Sequence, residues 1–313
     1  MKRILIGGQA VMEGVMMRNG SKYAIAVRKP DQTIEVKVQN AASIKDKYPI
    51  LKIPIVRGVV SFVESLSGGA KALTFSAQFY VEDEEKTKFE QFLEDKFQEK
   101  AEWIQNVFTM LLAFILAIGI FMILPYLLTG FLENILHNHT LVLILEGILR
   151  IAIFLGYVLL ISGLEDIQRV FMYHGAEHKT INCLEHGEDL TPENVKKYSR
   201  LHKRCGTSFL FIVMFISIFF FFFIQTDSVL LKIVYRLLLI PVIAGVSYEF
   251  LHFAGTSDSK ILSVLSKPGL MLQKLTTREP DLDMIEVAIK SVESVMDWKS
   301  YVEAIRNGEI EDG

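Results

Sequence analysis

The sequence predicts a polytopic α-helical membrane protein with four transmembrane helices and a small cytoplasmic α+β portion that contains a β-hairpin. Of the 313 residues, 51% are hydrophobic and 22% are charged, and the mean hydropathy is +0.34. The apolar excess is concentrated between residues 107 and 255, whereas both ends have the composition of soluble protein. This distribution excludes a disordered chain, a small disulfide scaffold and a simple cytosolic enzyme.

The N-terminal region, residues 1–80, is basic, because it holds 12 lysines and arginines against 5 acidic residues. Such a region fits the anionic cytoplasmic leaflet of a lipid bilayer, and it fits an ordinary solvated surface equally well. Residues 23–27 and 33–38 alternate apolar and polar side chains, which predicts a β-hairpin. Residues 54–77 carry a charge at every seventh position, which predicts an amphipathic helix lying on the membrane or packed against the spans.

The segment 81–105 predicts an acidic juxtamembrane helix, because its apolar residues recur at helical spacing among many carboxylates. Four apolar runs follow, and each is long enough to cross a hydrocarbon core of about 30 Å. Residues 106–163 form the first pair of transmembrane helices and residues 208–255 the second; the four runs are 107–130, 140–163, 208–225 and 229–254. The segment 256–313 predicts cytoplasmic C-terminal helices.

The orientation follows from the charges of the short loops. The loops at 131–139 and 226–228 contain no lysine or arginine, whereas the loop at 164–207 contains seven. The positive-inside rule therefore predicts that this loop and both termini lie in the cytoplasm. The same loop holds both cysteines, Cys183 and Cys205, which are expected to stay reduced in that compartment.

The most specific chemical feature of this loop is the sequence YHGAEHK at 173–179. On a helix, His174 and His178 lie one turn apart on one face, so both imidazoles reach one cation, with Glu177 beside them. The order H-x-x-E-H is that of inverted zinc peptidases, in which two histidines bind zinc and the glutamate activates water. It predicts zinc or another divalent metal as cofactor and Glu177 as the general base. Gly175 favours a bend, and two solvated histidines on a polar helix are the alternative interpretation.

Further ligands are expected from residues that the predicted topology brings to the same cytoplasmic depth. His202 and Cys205 precede the third span, and Glu249 and His252 lie three residues apart near the end of the fourth. A third metal ligand is therefore expected from Glu249, His202 or Cys205, with His252 as a secondary candidate. Two simpler interpretations stay open: Glu249 and His252 pair with each other, and Cys205 is a small buried residue.

Three charged residues fall inside the predicted spans. Glu146 and Arg150 lie one helical turn apart in the second span, and Arg236 enters the fourth span at a similar depth. Because charges in a bilayer are costly unless they are paired, these residues predict an intramembrane ion pair that fixes helix packing. A proton or solute pathway is the alternative interpretation.

The glycine-rich run at residues 7–18 offers two secondary candidates for ligand contact, Glu13 and Arg18. Glycines allow a close approach of the backbone to a ligand. The run matches neither the P-loop nor the dinucleotide-binding glycine pattern, and no sequence-specific nucleic-acid binding is expected.

Four blocks are similar to the signatures of the YqhQ-like bacterial membrane proteins: GGQAVMEGVMMR at 7–18, YHGAEHK at 173–179, His202 with RCGTS at 204–208, and residues 268–270 with TTREP at 276–280. These blocks extend over almost the whole chain. The resemblance implies a multi-pass protein of the bacterial plasma membrane and a predicted metal-dependent enzyme. The resemblance also implies that His174, Glu177 and His178 are the residues of the metal site.

Three functions fit these observations. The leading hypothesis is a zinc-dependent hydrolase or peptidase embedded in the membrane and acting at the cytoplasmic face on a peptide or a lipid-linked substrate. The alternative is a non-catalytic adaptor, or a factor for membrane-protein biogenesis or quality control, that binds another membrane protein complex. The third is a transporter, which with so few intramembrane charges requires a homo-oligomer.

Overall fold

The computed structural model describes residues 6–40, 42–80, 88–224, 226, 228–256 and 260–309. It divides into two compact units. The first unit comprises Met1–Tyr80, Val158–Ser217 and Leu238–Gly313, and the second comprises Val81–Tyr157 and Ile218–Leu237. The fold is mostly helical and includes one small sheet. The helices are α1 Ile44–Lys47, α2 Val56–Ala77, α3 Lys88–Phe97, α4 Ala101–Ile118, α5 Leu124–Leu136, α6 His139–Ile161, α7 Glu165–Glu185, α8 Pro192–Lys196, α9 Gly206–Phe222, α10 Val229–Thr256, α11 Lys260–Thr276, α12 Leu282–Val295 and α13 Trp298–Arg306.

Among the described residues, three helical segments are long and apolar enough to cross a membrane: Trp103–Leu132, Thr140–Ile161 and Val229–Ala254. The first of them joins α4 to α5 through a π-helical turn at Gly119–Ile123. The fourth apolar run forms α9, which is shorter, with 17 residues. The acidic helix predicted over 81–105 lies partly outside the described residues, because residues 81–87 are not among them.

The sheet is a four-stranded antiparallel meander in the order β1-β2-β3-β4. The hairpin predicted around residues 23–38 is formed by β3 (Lys22–Arg28) and β4 (Ile34–Asn40). The glycine-rich run forms a second hairpin, β1 (Ile6–Val11) and β2 (Gly14–Asn19), which the sequence analysis did not predict. Paired glycines weaken β-propensity, and the repeated methionines obscure the alternation that identifies a strand.

The core of the first unit lies where the sheet packs against α7 and α12. Met17 of β2, Tyr173 of α7 and Ile285 of α12 are among its fully buried members. A buried polar contact holds α12 to the sheet. Ser291 Oγ accepts the Met17 N–H at 3.0 Å and donates to the Ala24 carbonyl at 3.0 Å. One hydroxyl thus bonds to two neighbouring strands.

In the second unit the three charged residues predicted inside the spans meet. Arg236 donates to both carboxylate oxygens of Glu146, at 2.7 and 2.8 Å, and Arg150 donates to one of them at 2.6 Å. Both guanidinium groups also lie over the ring of Phe221. All three charged side chains are buried. Their shared hydrogen bonds join α6 to α10.

We expect Ser291→Ala to lower the free energy of unfolding by about 1–3 kcal/mol, because it leaves the buried Met17 N–H without an acceptor. The matched control is Ser294→Ala on the same helix, where the exposed hydroxyl bonds only within α12. Thermal unfolding of the detergent-solubilised protein measures both variants. Equal midpoints for the two would contradict the structural role given to Ser291.

Candidate metal centre

The two histidines of the H-x-x-E-H motif lie on consecutive turns of α7, with ring centroids 4.4 Å apart. The bend expected at Gly175 is absent, because α7 is one helix through this position. Gly175 serves another purpose. A Cβ atom there would lie 2.0 Å from the Arg278 carbonyl oxygen, so only glycine lets the chain between α11 and α12 cross α7 at this point.

That crossing chain and a second loop fix the tautomers of both rings. His174 Nδ1 lies 2.8 Å from the Thr276 carbonyl, and His178 Nδ1 lies 2.7 Å from the Arg200 carbonyl. Because a carbonyl only accepts hydrogen bonds, each Nδ1 carries a proton, and in the neutral form of each ring Nε2 keeps a lone pair. Metal-binding histidines in proteins are oriented by the same kind of bond from the second ring nitrogen.

Cys205 completes a group of three potential ligands. Its Sγ lies 3.2 Å from His174 Nε2, and the ligand atoms of His174, His178 and Cys205 all lie within 4.8 Å of one another. Two ligands of a tetrahedral zinc site are roughly 3.5 Å apart. In the described ranges of the chain, this is the only group of three histidine, cysteine or acidic side chains with such convergence.

The position of Cys205 depends on a buried glutamine. Gln273 of α11 accepts the His202 N–H at 2.9 Å and donates to the His202 carbonyl at 2.9 Å and to Ser208 Oγ at 2.9 Å. Both sides of the turn that carries Cys205 are therefore bonded to one side chain. The sulfur also lies 3.4 Å from the Thr207 N–H, at the start of α9.

Glu177 is buried beside this group and faces β1. A Cβ atom on Gly8 would lie 2.9 Å from both Cγ and Cδ of Glu177, so the carboxyl occupies space that only glycine leaves open. Burial raises the pKa of Glu177 to about 7, although the charge of His174 and a hydrogen bond from the Gly8 backbone limit the rise. In the described part of the chain, Glu177 Oε2 and His178 Nε2 are buried without a hydrogen-bond partner.

His202 lies near the group but is committed to another partner. Its Nε2 lies 3.3 Å from Glu185 Oε2, and Arg204 bonds to the other oxygen of the same carboxylate. Burial lowers the pKa of His202, although the bond to Glu185 opposes that shift. Burial alone would raise the pKa of Glu185, but the bond from His202 and the charge of Arg204 outweigh it and hold it at about 2.

Glu249, a candidate third ligand, is not in the converging group of His174, His178 and Cys205. Arg57 donates to both of its carboxylate oxygens, and the Ile55 N–H donates to it at 3.3 Å. A bidentate arginine satisfies a carboxylate and fixes its direction. The secondary candidate His252 stacks on Tyr248, with ring centroids 6.4 Å apart.

The two candidates from the glycine-rich run also have local partners. Glu13, in the turn between β1 and β2, accepts bonds from Arg169 and, at 3.2 Å, from the Tyr173 hydroxyl. Arg18 donates to the Gly20 carbonyl at 2.9 Å. Glu13 thus joins the first hairpin to α7, and Arg18 supports the following turn.

Comparison with known proteins agrees with the resemblance seen in the sequence. The profile of a family described as "Protein of unknown function (DUF1385)" matches residues 53–298. This chain belongs to that family. It is 35% identical over 292 residues to the "Uncharacterized protein YqhQ" of Bacillus subtilis (strain 168), which covers 93% of this chain and 92% of the relative. No solved structure matches the chain. The family match includes all three potential ligands, and Gly8 lies before it.

Several residues of the centre were missed by sequence reasoning. Thr276 and Arg200 contribute backbone carbonyls, which have no side-chain signature. Gln273 was not singled out, although it lies between two of the blocks that carry the family resemblance. Gly8 lies in the first of the blocks that carry the family resemblance. Its contact with Glu177 depends on how β1 packs against α7, and spacing in the sequence does not reveal that packing.

We expect Gly8→Ala to displace Glu177 and to destabilise the protein by about 1–3 kcal/mol, because the added methyl group overpacks a filled site. The matched control is Gly7→Ala, where a Cβ atom meets nothing within 4 Å. Chemical unfolding measures the stability of both. A Gly8 variant as stable as the Gly7 variant would show that the carboxyl is not confined by β1.

Glu185 gives a pH-dependent prediction. Its folded pKa of about 2 lies below the ordinary value of 4.5, so its contribution is fully present above pH 4.5 and is lost as the pH falls toward 2. The contribution is about 3 kcal/mol. Glu185→Gln should therefore be less stable than the parent protein at pH 6, and the difference should shrink as unfolding is measured at lower pH. Glu188→Gln, exposed nearby, serves as the control; a difference for Glu185→Gln that does not depend on pH would contradict the assignment.

Proposed function

We propose that this protein is a membrane-embedded, zinc-dependent hydrolase that acts at the cytoplasmic face of the bacterial plasma membrane. The observation that carries the proposal is the convergence of one ring nitrogen each of His174 and His178 with Cys205 Sγ, while both Nδ1 atoms contact backbone carbonyls. Three ligands with the fourth position open are typical of catalytic zinc sites.

The chemistry of the residues fits the metal. Two imidazoles and a thiolate select zinc over magnesium or calcium, which prefer oxygen ligands. His178 is only 1% exposed, and its Nε2 has no hydrogen-bond partner in the described part of the chain. A cation bound to this atom would compensate the cost of burying it. Zinc bound here would act as a Lewis acid and lower the pKa of a water molecule toward neutrality.

The remaining roles belong to the surrounding residues. Glu177 is the proposed general base, with Oε2 as the atom that accepts the proton from the attacking water. Thr276 and Arg200 orient the two histidines through their carbonyls, and Gln273 holds the turn of Cys205. The substrate proposed from the location is a peptide or a lipid-linked molecule.

The proposed topology has α9 as a fourth span. Its 17 residues have a length of about 25 Å, at the short end of the range for spanning helices. Four spans keep both termini on one side, and the seven lysines and arginines of residues 164–207 support the cytoplasm as that side.

A second candidate is favoured by the distance of 3.2 Å between His174 Nε2 and Cys205 Sγ. It is a thiol hydrolase in which His174 takes the proton of Cys205 and the sulfur attacks a carbonyl carbon. The bond from that carbon to the leaving group breaks, the leaving group takes the proton from His174, and water then releases the acyl group from the sulfur. This candidate leaves the buried Nε2 of His178 without a role, whereas metal binding uses all three atoms. The metal hydrolase is therefore the better explanation.

Metal analysis of the purified, full-length protein tests the proposal. We expect about one zinc per chain, and a loss of more than about tenfold in metal content in His178→Ala and Cys205→Ser. His186→Ala is the matched control, because His186 caps the same helix and is exposed. Absence of metal from the parent protein, or equal metal in all variants, would overturn the assignment.

Alkylation of Cys205 separates the two candidates. If the sulfur binds zinc, iodoacetamide should modify it much faster after treatment with a chelator than before. If Cys205 is the nucleophile of a thiol hydrolase, the chelator should not change the rate. Peptide mass spectrometry distinguishes this modification from that of Cys183, the second buried free cysteine.

A further inference from the structure

A second surface of the first unit has no role in the metal centre. We call it the strap: residues 44–55, which comprise α1, a 3-10 turn at Pro49–Lys52 and the entry to α2. Its large apolar side chains point outward, with Ile50 70% exposed and Ile53 52% exposed. Lysines 45, 47 and 52 are interleaved with them, against a single acid, Asp46.

The strap is held at the end of a candidate span. Its last residue, Ile55, donates its N–H to Glu249 of α10, and the adjacent Arg57 pairs with the same carboxylate. The helices touch through glycines at this point. A Cβ atom on Gly58 would lie 2.8 Å from the Gly245 carbonyl oxygen, and one on Gly245 would lie 2.5 Å from Ile55 Cγ2. The contact falls in the last ten residues of Val229–Ala254.

The direction of the strap is fixed by an unusual backbone conformation. Ile55 has φ +70° and ψ −54°, a positive-φ conformation that β-branched residues rarely adopt. It persists here because the bond to Glu249 and the contact with Gly245 hold it from two sides. The strap therefore leaves α2 at a defined angle.

The apolar surface of the strap continues along α2. Val56, Val63, Leu66 and Leu73 are all exposed, and their spacing places them on one side of the helix. An exposed apolar surface of this extent, edged by lysines, is typical of a membrane-contacting element rather than of a water-facing one.

We propose that the strap and this side of α2 lie in the interfacial layer of the bilayer that α10 crosses, in contact with anionic lipid. Ile50 and Ile53 enter the region between the headgroups and the acyl chains. Lys47 and Lys52 meet the phosphates of anionic headgroups. The exposed 3.9 Å contact of Lys52 with Asp46 is weak enough for a phosphate to replace it. The charge of the strap selects anionic lipid as the occupant, rather than a second copy of the chain, which would present the same lysines.

Fluorescence quenching in vesicles tests this proposal. The full-length protein is reconstituted in phosphatidylcholine with or without phosphatidylglycerol, and Ile50→Cys is labelled with the fluorophore NBD. Glu303→Cys, on the exposed side of α13, is the matched control. Unsubstituted protein gives the background from the two buried native cysteines. We expect a lipid-borne doxyl quencher to reduce the signal at residue 50 at least about twofold more than at residue 303.

Substitution of the lysines provides a second test of the same proposal. Lys47→Gln with Lys52→Gln should reduce the quenching at residue 50 in vesicles that contain phosphatidylglycerol to the level seen in phosphatidylcholine alone. Quenching at residue 50 no greater than at residue 303 would overturn the proposal, and so would a blue-shifted signal that lipid quenchers do not reach, since that result indicates a protein neighbour. Metal content measured on the same samples keeps this outcome separate from that of the metal centre.

Discussion

The crossing of the chain over α7 at Gly175 is the contact on which the rest of the candidate centre depends. It brings the Thr276 carbonyl to His174, while the loop after α8 brings the Arg200 carbonyl to His178. Both imidazoles are therefore oriented at Nδ1 by backbone carbonyls. A side chain at residue 175 would separate α7 from residue 278 and release the first of these bonds. The glycine between the two histidines is therefore as much a part of the centre as the histidines themselves.

The centre carries an energetic cost that the fold does not offset by itself. His178 Nε2 and Glu177 Oε2 are among the buried polar atoms that have no hydrogen-bond partner in the described part of the chain. Each such atom costs about 1–3 kcal/mol. The polar groups around them, by contrast, are bonded: Gln273 and Ser291 use their buried polar atoms fully. Native proteins leave few such atoms unpaired, and the occurrence of two of them in one motif supports the proposed metal site.

Sequence reasoning succeeded where the signal was local and failed where it depended on packing. The spacing of the H-x-x-E-H motif was sufficient to bring two imidazoles together, because α7 is a regular helix. Cys205 was one of three candidates for the third ligand, and only the tertiary fold distinguishes it from Glu249, whose carboxylate Arg57 holds through a contact 192 residues distant in sequence. Apolar length predicted four spans, and among the described residues three of them are helices long and apolar enough to cross a membrane. Strands β1 and β2 were not predicted, because glycine and methionine obscure the strand pattern.

Helix α2 contacts both the strap and the strand next to the candidate metal centre, all within the first unit. At its start, Gly58 meets Gly245 and seats the strap against α10. Further along, a Cβ atom on Gly69 would lie 2.5 Å from Gln9 Oε1, and Gln9 directly follows the residue that confines Glu177. Glycine in a helix interior costs about 1 kcal/mol of stability relative to alanine. The close packing at Gly58 and Gly69 explains why α2 has glycine at these two positions despite that cost. The helix that carries the exposed apolar side is thus also the helix that supports the strand enclosing the proposed general base.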